Sequence, residues 1–92
     1  MNKADLIEVV REKTGVSRRI AAESVNTVFD TIADAVINDE PVSVKGFGTF
    51  TPKMRAARMC RNPQTGEPMQ VAEARVPVFK VSHKFRDAVK AS

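Results

Sequence analysis

Lys53-Met54-Arg55-Ala56-Ala57-Arg58-Met59-Cys60-Arg61-Asn62-Pro63-Gln64-Thr65-Gly66 is the stretch on which the fold turns. Four of its first nine residues are cationic, and no Asp or Glu occurs between Pro41 and Gly66. The closing Asn-Pro-Gln-Thr-Gly consists of turn formers able to reverse a strand. Between Lys53 and Arg75 the large apolar groups are Met54, Met59, Met69 and Val71, so there is little to bury. The stretch therefore predicts a basic two-stranded ribbon with a rigid proline at its tip. Such a ribbon is marginal in water by itself and should be mobile without a ligand. Its shape and charge suit a polyanion with grooves.

Upstream the pattern is helical. Asn2 is placed to cap a first helix, with Asp5 three positions on in a loose capping box. Leu6, Ile7, Val9 and Val10 give that helix its apolar stripe, and Gly15 ends it by accepting a left-handed backbone. Ser17 opens a longer helix to about Asn38. Val25, Val28, Phe29, Ile32, Ala35 and Val36 recur at the spacings one buried face requires. Pro41 closes this region, since a residue before proline avoids the helical conformation.

The period then changes to that of strands. Val42, Val44 and Phe50 alternate with Ser43, Lys45 and Thr49 around Gly46-Phe47-Gly48, which predicts a hairpin. The second strand is expected to run on through the basic stretch to the turn at Asn62–Gly66. A return strand is expected from about Met69 to Val81, with Pro77 marking an edge, a bulge or the base of an arm. Ser82 caps a short final helix, residues 83–90, with Phe85 and Val89 facing inward.

Ninety-two residues make one domain. No apolar run approaches the roughly 18 residues of a membrane helix, and no signal-peptide core follows Met1, so a cytoplasmic location is expected. The single cysteine, Cys60, excludes an internal disulfide and suits a reducing compartment. Net charge is +4, but residues 1–40 hold five Lys/Arg against eight Asp/Glu, and residues 41–92 hold ten against three. That asymmetry points to an anionic partner for the second half. Without the arm the body has about 70 residues, a size whose core supplies about 3–5 kcal/mol and usually needs a staple. With neither disulfide nor metal cluster, a two-fold dimer is the expected staple. Val25, Val28, Phe29, Ile32, Phe47, Phe50 and Phe79 are its candidate core.

Gly46-Phe47-Gly48-Thr49-Phe50, followed by Arg58-Met59-Cys60-Arg61-Asn62-Pro63-Gln64-Thr65-Gly66, resembles the HU/IHF family of bacterial histone-like proteins. The resemblance runs from Met1-Asn2-Lys3 to Asp87-Ala88-Val89-Lys90. It implies an α+β fold built as an intertwined homodimer: a helical dimerisation base (1–40), saddle strands (41–52 and 76–81), a DNA-binding arm (53–75) and a C-terminal helix (82–92). It also implies two β-arms embracing double-stranded DNA through the minor groove, and a nucleoid-associated role in compaction. Cys60, Ser82 and His83 depart from the residues usual in the family.

On this reading Lys53, Arg55, Arg58, Arg61 and Arg75 are arm candidates for DNA contact, beside Asn62 and Pro63 of the tip. Lys80, Lys84 and Arg86 are candidates on the body, and Lys3 resembles a family phosphate contact. Each cationic phosphate contact releases a counterion and makes binding salt-dependent. Pro63 is the intercalation candidate: its ring is compact and apolar and has no N–H to desolvate. Because the minor groove offers a degenerate code, little sequence preference is expected, with preference for bent, nicked or flexible DNA. The alternative is an IHF-like subunit of a site-selective heterodimer. No enzyme, metal or cofactor is implied: His83 is the sole histidine, and Glu8, Glu12 and Glu23 fit solvated helix faces. Cys60 fits either an inert small residue or a thiolate favoured by Arg58 and Arg61. A protein-interaction module binding an acidic partner is the third class.

Overall fold

A computed structural model describes all residues from Met1 to Ser92. Its elements in chain order are α1 (Lys3–Thr14), α2 (Arg18–Ile37), β1 (Val42–Val44), β2 (Gly48–Arg55), β3 (Arg58–Arg61), β4 (Pro68–Val71), β5 (Ala74–Val81) and α3 (His83–Ala91). The fold is α+β, with two compact units, Met1–Ala35 and Val36–Ser92.

In the first unit the helix ends follow from the sequence. Asn2 Oδ1 accepts from the Asp5 N–H at 3.0 Å, and Asp5 Oδ2 accepts from the Asn2 N–H at 2.9 Å, a complete capping box. Gly15 takes φ 75° and its N–H donates to the Arg11 carbonyl at 2.9 Å. Ser17 Oγ accepts from the Ile20 N–H at 3.2 Å and starts α2. Glu8 on α1 accepts from Arg11 at 2.9 Å and from Arg18 of α2. The expected buried face of α2 is not buried within one chain. Only Ala21 and Val25 are enclosed, whereas Val28 and Phe29 are 56% and 46% exposed. With Leu6, Val9, Val10 and Val25 they line an open apolar groove of about 320 Å³.

The second unit holds a three-stranded antiparallel sheet, order β1-β2-β5, and a two-stranded ribbon, β3-β4. The β1–β2 hairpin closes over Lys45–Phe47, with Gly46 at φ 78° and the Phe47 N–H donating to the Val44 carbonyl at 3.0 Å. The expected long strands are each broken once. Pairing of β2 with β5 ends at Arg55↔Ala74, and pairing of β3 with β4 starts at Arg58↔Val71. The register is the same on both sides, so no bulge intervenes. Ala56-Ala57 and Ala72-Glu73 simply fail to pair. Alanine and glutamate are poor strand formers and offer no cross-strand contact, which is the physical reason for the lapse.

Pro77 does not break β5. That strand is an edge, and Pro77 faces Pro52 directly, so the two missing donors fall in one pair of residues. Four aromatic rings gather on this unit: Phe50–Phe79 centroids lie 4.7 Å apart, Phe47–Phe79 and Phe47–Phe85 each 5.1 Å. Ser82 Oγ caps α3 through the Phe85 N–H at 3.1 Å. Phe85 packs inward as expected, stacked on Phe47, but Val89, one turn further on, lies beyond that ring cluster and is 59% exposed in the single chain.

Candidate nucleic-acid interface

Cross-strand partners share a face of a sheet, and alternate residues change face. The register therefore divides the β1-β2-β5 sheet into two chemically distinct surfaces. One carries Val42, Val44, Phe50, Pro52, Phe79 and Val81. The other carries Ser43, Thr49, Thr51, Lys53, Arg55 and Lys80 with Val76 and Val78. Thr49 Oγ1 donates to Ser43 Oγ at 3.4 Å on this second, hydroxyl-and-cation face. Lys53, Arg55 and Lys80 form no ion pair or hydrogen bond through their side chains and so present unneutralised charge. Lys84, at the start of α3, lays its stem near Gly46, and its ammonium is likewise unpaired.

The ribbon continues this cationic character. Arg58 and Arg61 are exposed and unpaired. Within it, Arg58 and Cys60 share a face with Met69 and Val71, and Met59 and Arg61 share the other with Pro68 and Gln70. Cys60 is half-buried opposite Met69.

The tip is held from within. Asn62 donates its N–H to the Glu67 carbonyl at 2.8 Å and accepts at its own carbonyl from the Gly66 N–H at 2.7 Å. Its Oδ1 accepts from the Gln64 N–H at 2.9 Å, an Asx turn, and Gly66 takes φ 74°. Asn62 thus organises the loop, and Pro63 stands exposed at its start.

Three sequence candidates have local partners. Lys3 donates to Asn26 Oδ1 at 2.7 Å within the helical unit. Arg86 donates to His83 Nδ1 at 2.8 Å. Arg75 departs furthest from expectation: the register puts it on the aromatic face beside Met54, away from Lys53, Arg55 and Lys80. Its Nη2 donates to the Ile37 carbonyl at 2.6 Å, and Nη1 lies 3.6 Å from Asp39. Of the candidate dimer core, Val25 is buried, Ile32 and Phe50 are half-buried, and Val28, Phe29, Phe47 and Phe79 are exposed in the single chain. Sequence reasoning missed Gly48 as a packing residue and Asp39 as Arg75's partner. Strand alternation could have assigned Arg75 its face, but nothing local signalled either contact.

A small α+β chain with a two-faced sheet and a basic ribbon defines an architectural class of β-arm proteins. The sequence profile of the family described as "Bacterial DNA-binding protein" matches residues 1–90. The SPbeta prophage-derived DNA-binding protein HU 2 of Bacillus subtilis (strain 168) is 52% identical over 91 residues, 99% of either chain. DNA-binding protein HU of Geobacillus stearothermophilus is 46% identical over 90 residues, 98% of this chain and 100% of its own. Among solved structures, Anabaena HU cocrystallised with DNA superposes with a TM-score of 0.90 at 37% identity, covering 100% of both chains. HU from Thermotoga maritima gives 0.67 at 26% identity, covering 97% of this chain and 98% of that one. The chain belongs to the bacterial HU family of histone-like DNA-binding proteins.

Proposed function

We propose that the protein is a non-enzymatic, homodimeric DNA-bending protein of the nucleoid that reads duplex shape more than sequence. The observation that carries this is the segregation of the sheet, a hydroxyl-and-cation face opposite an aromatic face, on a unit that also carries an unpaired basic ribbon. Lys53, Arg55, Arg58 and Arg61 act as phosphate and minor-groove contacts of the arm, Lys80 and Lys84 as those of the saddle, and Lys3 and Arg86 as further phosphate contacts. Asn62 shapes the tip, and Pro63 inserts between base pairs. Unstacking a step costs on the order of a few kcal/mol, offset by the additional duplex wrapped onto the saddle. Nicked or flexible DNA lowers that cost and is preferred. The Anabaena relative crystallised with DNA supports this reading, at 37% identity over the whole chain.

The dimer is supported by the apolar surface each unit leaves open: Val28 and Phe29 are 56% and 46% exposed in the first, Phe47 and Phe79 43% and 39% in the second. The groove around Val28 and Phe29 and the exposed rings of Phe47 and Phe79 are the surfaces a second copy would cover.

Fluorescence energy transfer across a short nicked duplex tests the mechanism. Pro63→Ala is expected to reduce the bend more than the affinity, and Arg58→Ala chiefly the affinity. An unchanged bend with Pro63→Ala would refute the wedge. Competition between unrelated sequences should give affinity ratios near unity; a ratio of about 10³ or more would instead mark a site-selective protein.

A further inference from the structure

We infer that Arg75 is a positioning residue that ties the root of the ribbon to the C-terminal end of α2, and not a contact to DNA. The inference rests on the arm reading above and concerns what aims the arm. At the junction between sheet and ribbon, two residues on each strand are unpaired, so no ladder hydrogen bond holds the direction there. Arg55↔Ala74 and Met54↔Arg75 are the last pairs before that gap. A side chain that fixes this end of the sheet fixes where the ribbon departs.

Arg75 has the chemistry for the task. Ile37 is the last residue of α2, and its carbonyl is one of the groups a helix end leaves without an intrahelical partner. The last turn of α2 contains no basic residue to complement the negative end of its dipole. Arg75 supplies both requirements from β5, donating to the Ile37 carbonyl at 2.6 Å. Asp39, in a left-handed conformation at φ 65°, brings its carboxylate to 3.6 Å from the same guanidinium. Both contacts lie on the aromatic side of the sheet, whereas Lys53, Arg55 and Lys80 face the other way.

Positioning and phosphate contact differ in two readouts of the full-length protein on a nicked duplex. Losing a phosphate contact lowers the slope of log Kobs against log[salt] by about 0.9, hence about 2 for both copies of a dimer. Arg75→Gln is expected to leave that slope unchanged while reducing the bend seen by energy transfer; Arg58→Ala serves as the reference for a lost contact. Asp39→Asn, which tolerates the left-handed backbone, removes a negative charge and on electrostatic grounds alone would tighten binding. It is expected to reduce the bend without tightening. A slope loss of about 2 with Arg75→Gln, a bend unchanged by Arg75→Gln, or tighter binding with Asp39→Asn overturns the assignment. Failure of the DNA reading itself would look different, as absence of any shift of the duplex by the unaltered protein at low salt.

Discussion

A Cβ at Gly48 would meet the Lys80 carbonyl oxygen and the Phe79 Cε1 at 2.5 Å each. One of these atoms is backbone of the adjacent strand and the other belongs to a ring packed on both Phe47 and Phe50, so neither yields cheaply. Gly48→Ala is expected to lower stability by about 1–3 kcal/mol through overpacking, read as a reduced urea midpoint. An unchanged midpoint would mean that β5 shifts freely. Glu8 gives a second residue-scale expectation. The Arg11 hydrogen bond, reinforced by the charges of Arg11 and Arg18, holds its carboxyl below the usual carboxylate range against a smaller opposing effect of burial. A depressed folded value contributes stability above the ordinary carboxylate range and loses it as pH falls through the folded value. Glu8→Gln should therefore lower Tm at neutral pH, with the difference from the unaltered protein vanishing in strong acid. A difference that persists in acid would assign the effect to packing.

Among the elements, the ribbon and the first helix lie at opposite extremes of local support. The strands β3 and β4 pair only with each other and expose both methionines, Met59 at 65% and Met69 at 43%. Their amides should exchange with solvent far faster than those of β2 and β5, and slow when duplex is added. Equal protection of ribbon and sheet in the free protein would contradict this. By contrast α1 is fixed at both ends by its own residues. Asn2→Ala removes the reciprocal cap and is expected to cost about 1 kcal/mol, measurable by chemical denaturation.

For the whole molecule, the apolar surface decides. Phe29 is 46% exposed and makes no contact with the other four rings, so in an isolated monomer Phe29→Asp would be a surface change of about 0.5 kcal/mol or less. As part of a shared core it should abolish the dimer in sedimentation and unfold the chain. Tm of the unaltered protein should rise with concentration, as association couples to folding. A concentration-independent Tm with a monomeric mass would remove the dimer.

The helix caps at Asn2, Gly15, Ser17 and Ser82, the hairpin at Gly46 and the turn at Asn62–Gly66 were legible from the chain because each depends on neighbours a few residues away. The basic arm was legible for a related reason: a ribbon with little to bury leaves its composition undisguised. Other features depended on partners distant in sequence. Val28 and Phe29 read as a buried helix face, but periodicity shows that a face is apolar and not which molecule covers it. Lys53 and Arg75 read alike as arm cations until the register of β2 and β5 sent them to opposite faces. Asp39 and Ile37, 36 and 38 positions before Arg75, then gave that arginine partners that no local pattern announces. Local chemistry thus determined the elements and the charge of the arm, and the tertiary structure decided which face of the sheet each cation of β2 and β5 takes, because strand register is settled only by what pairs across the sheet.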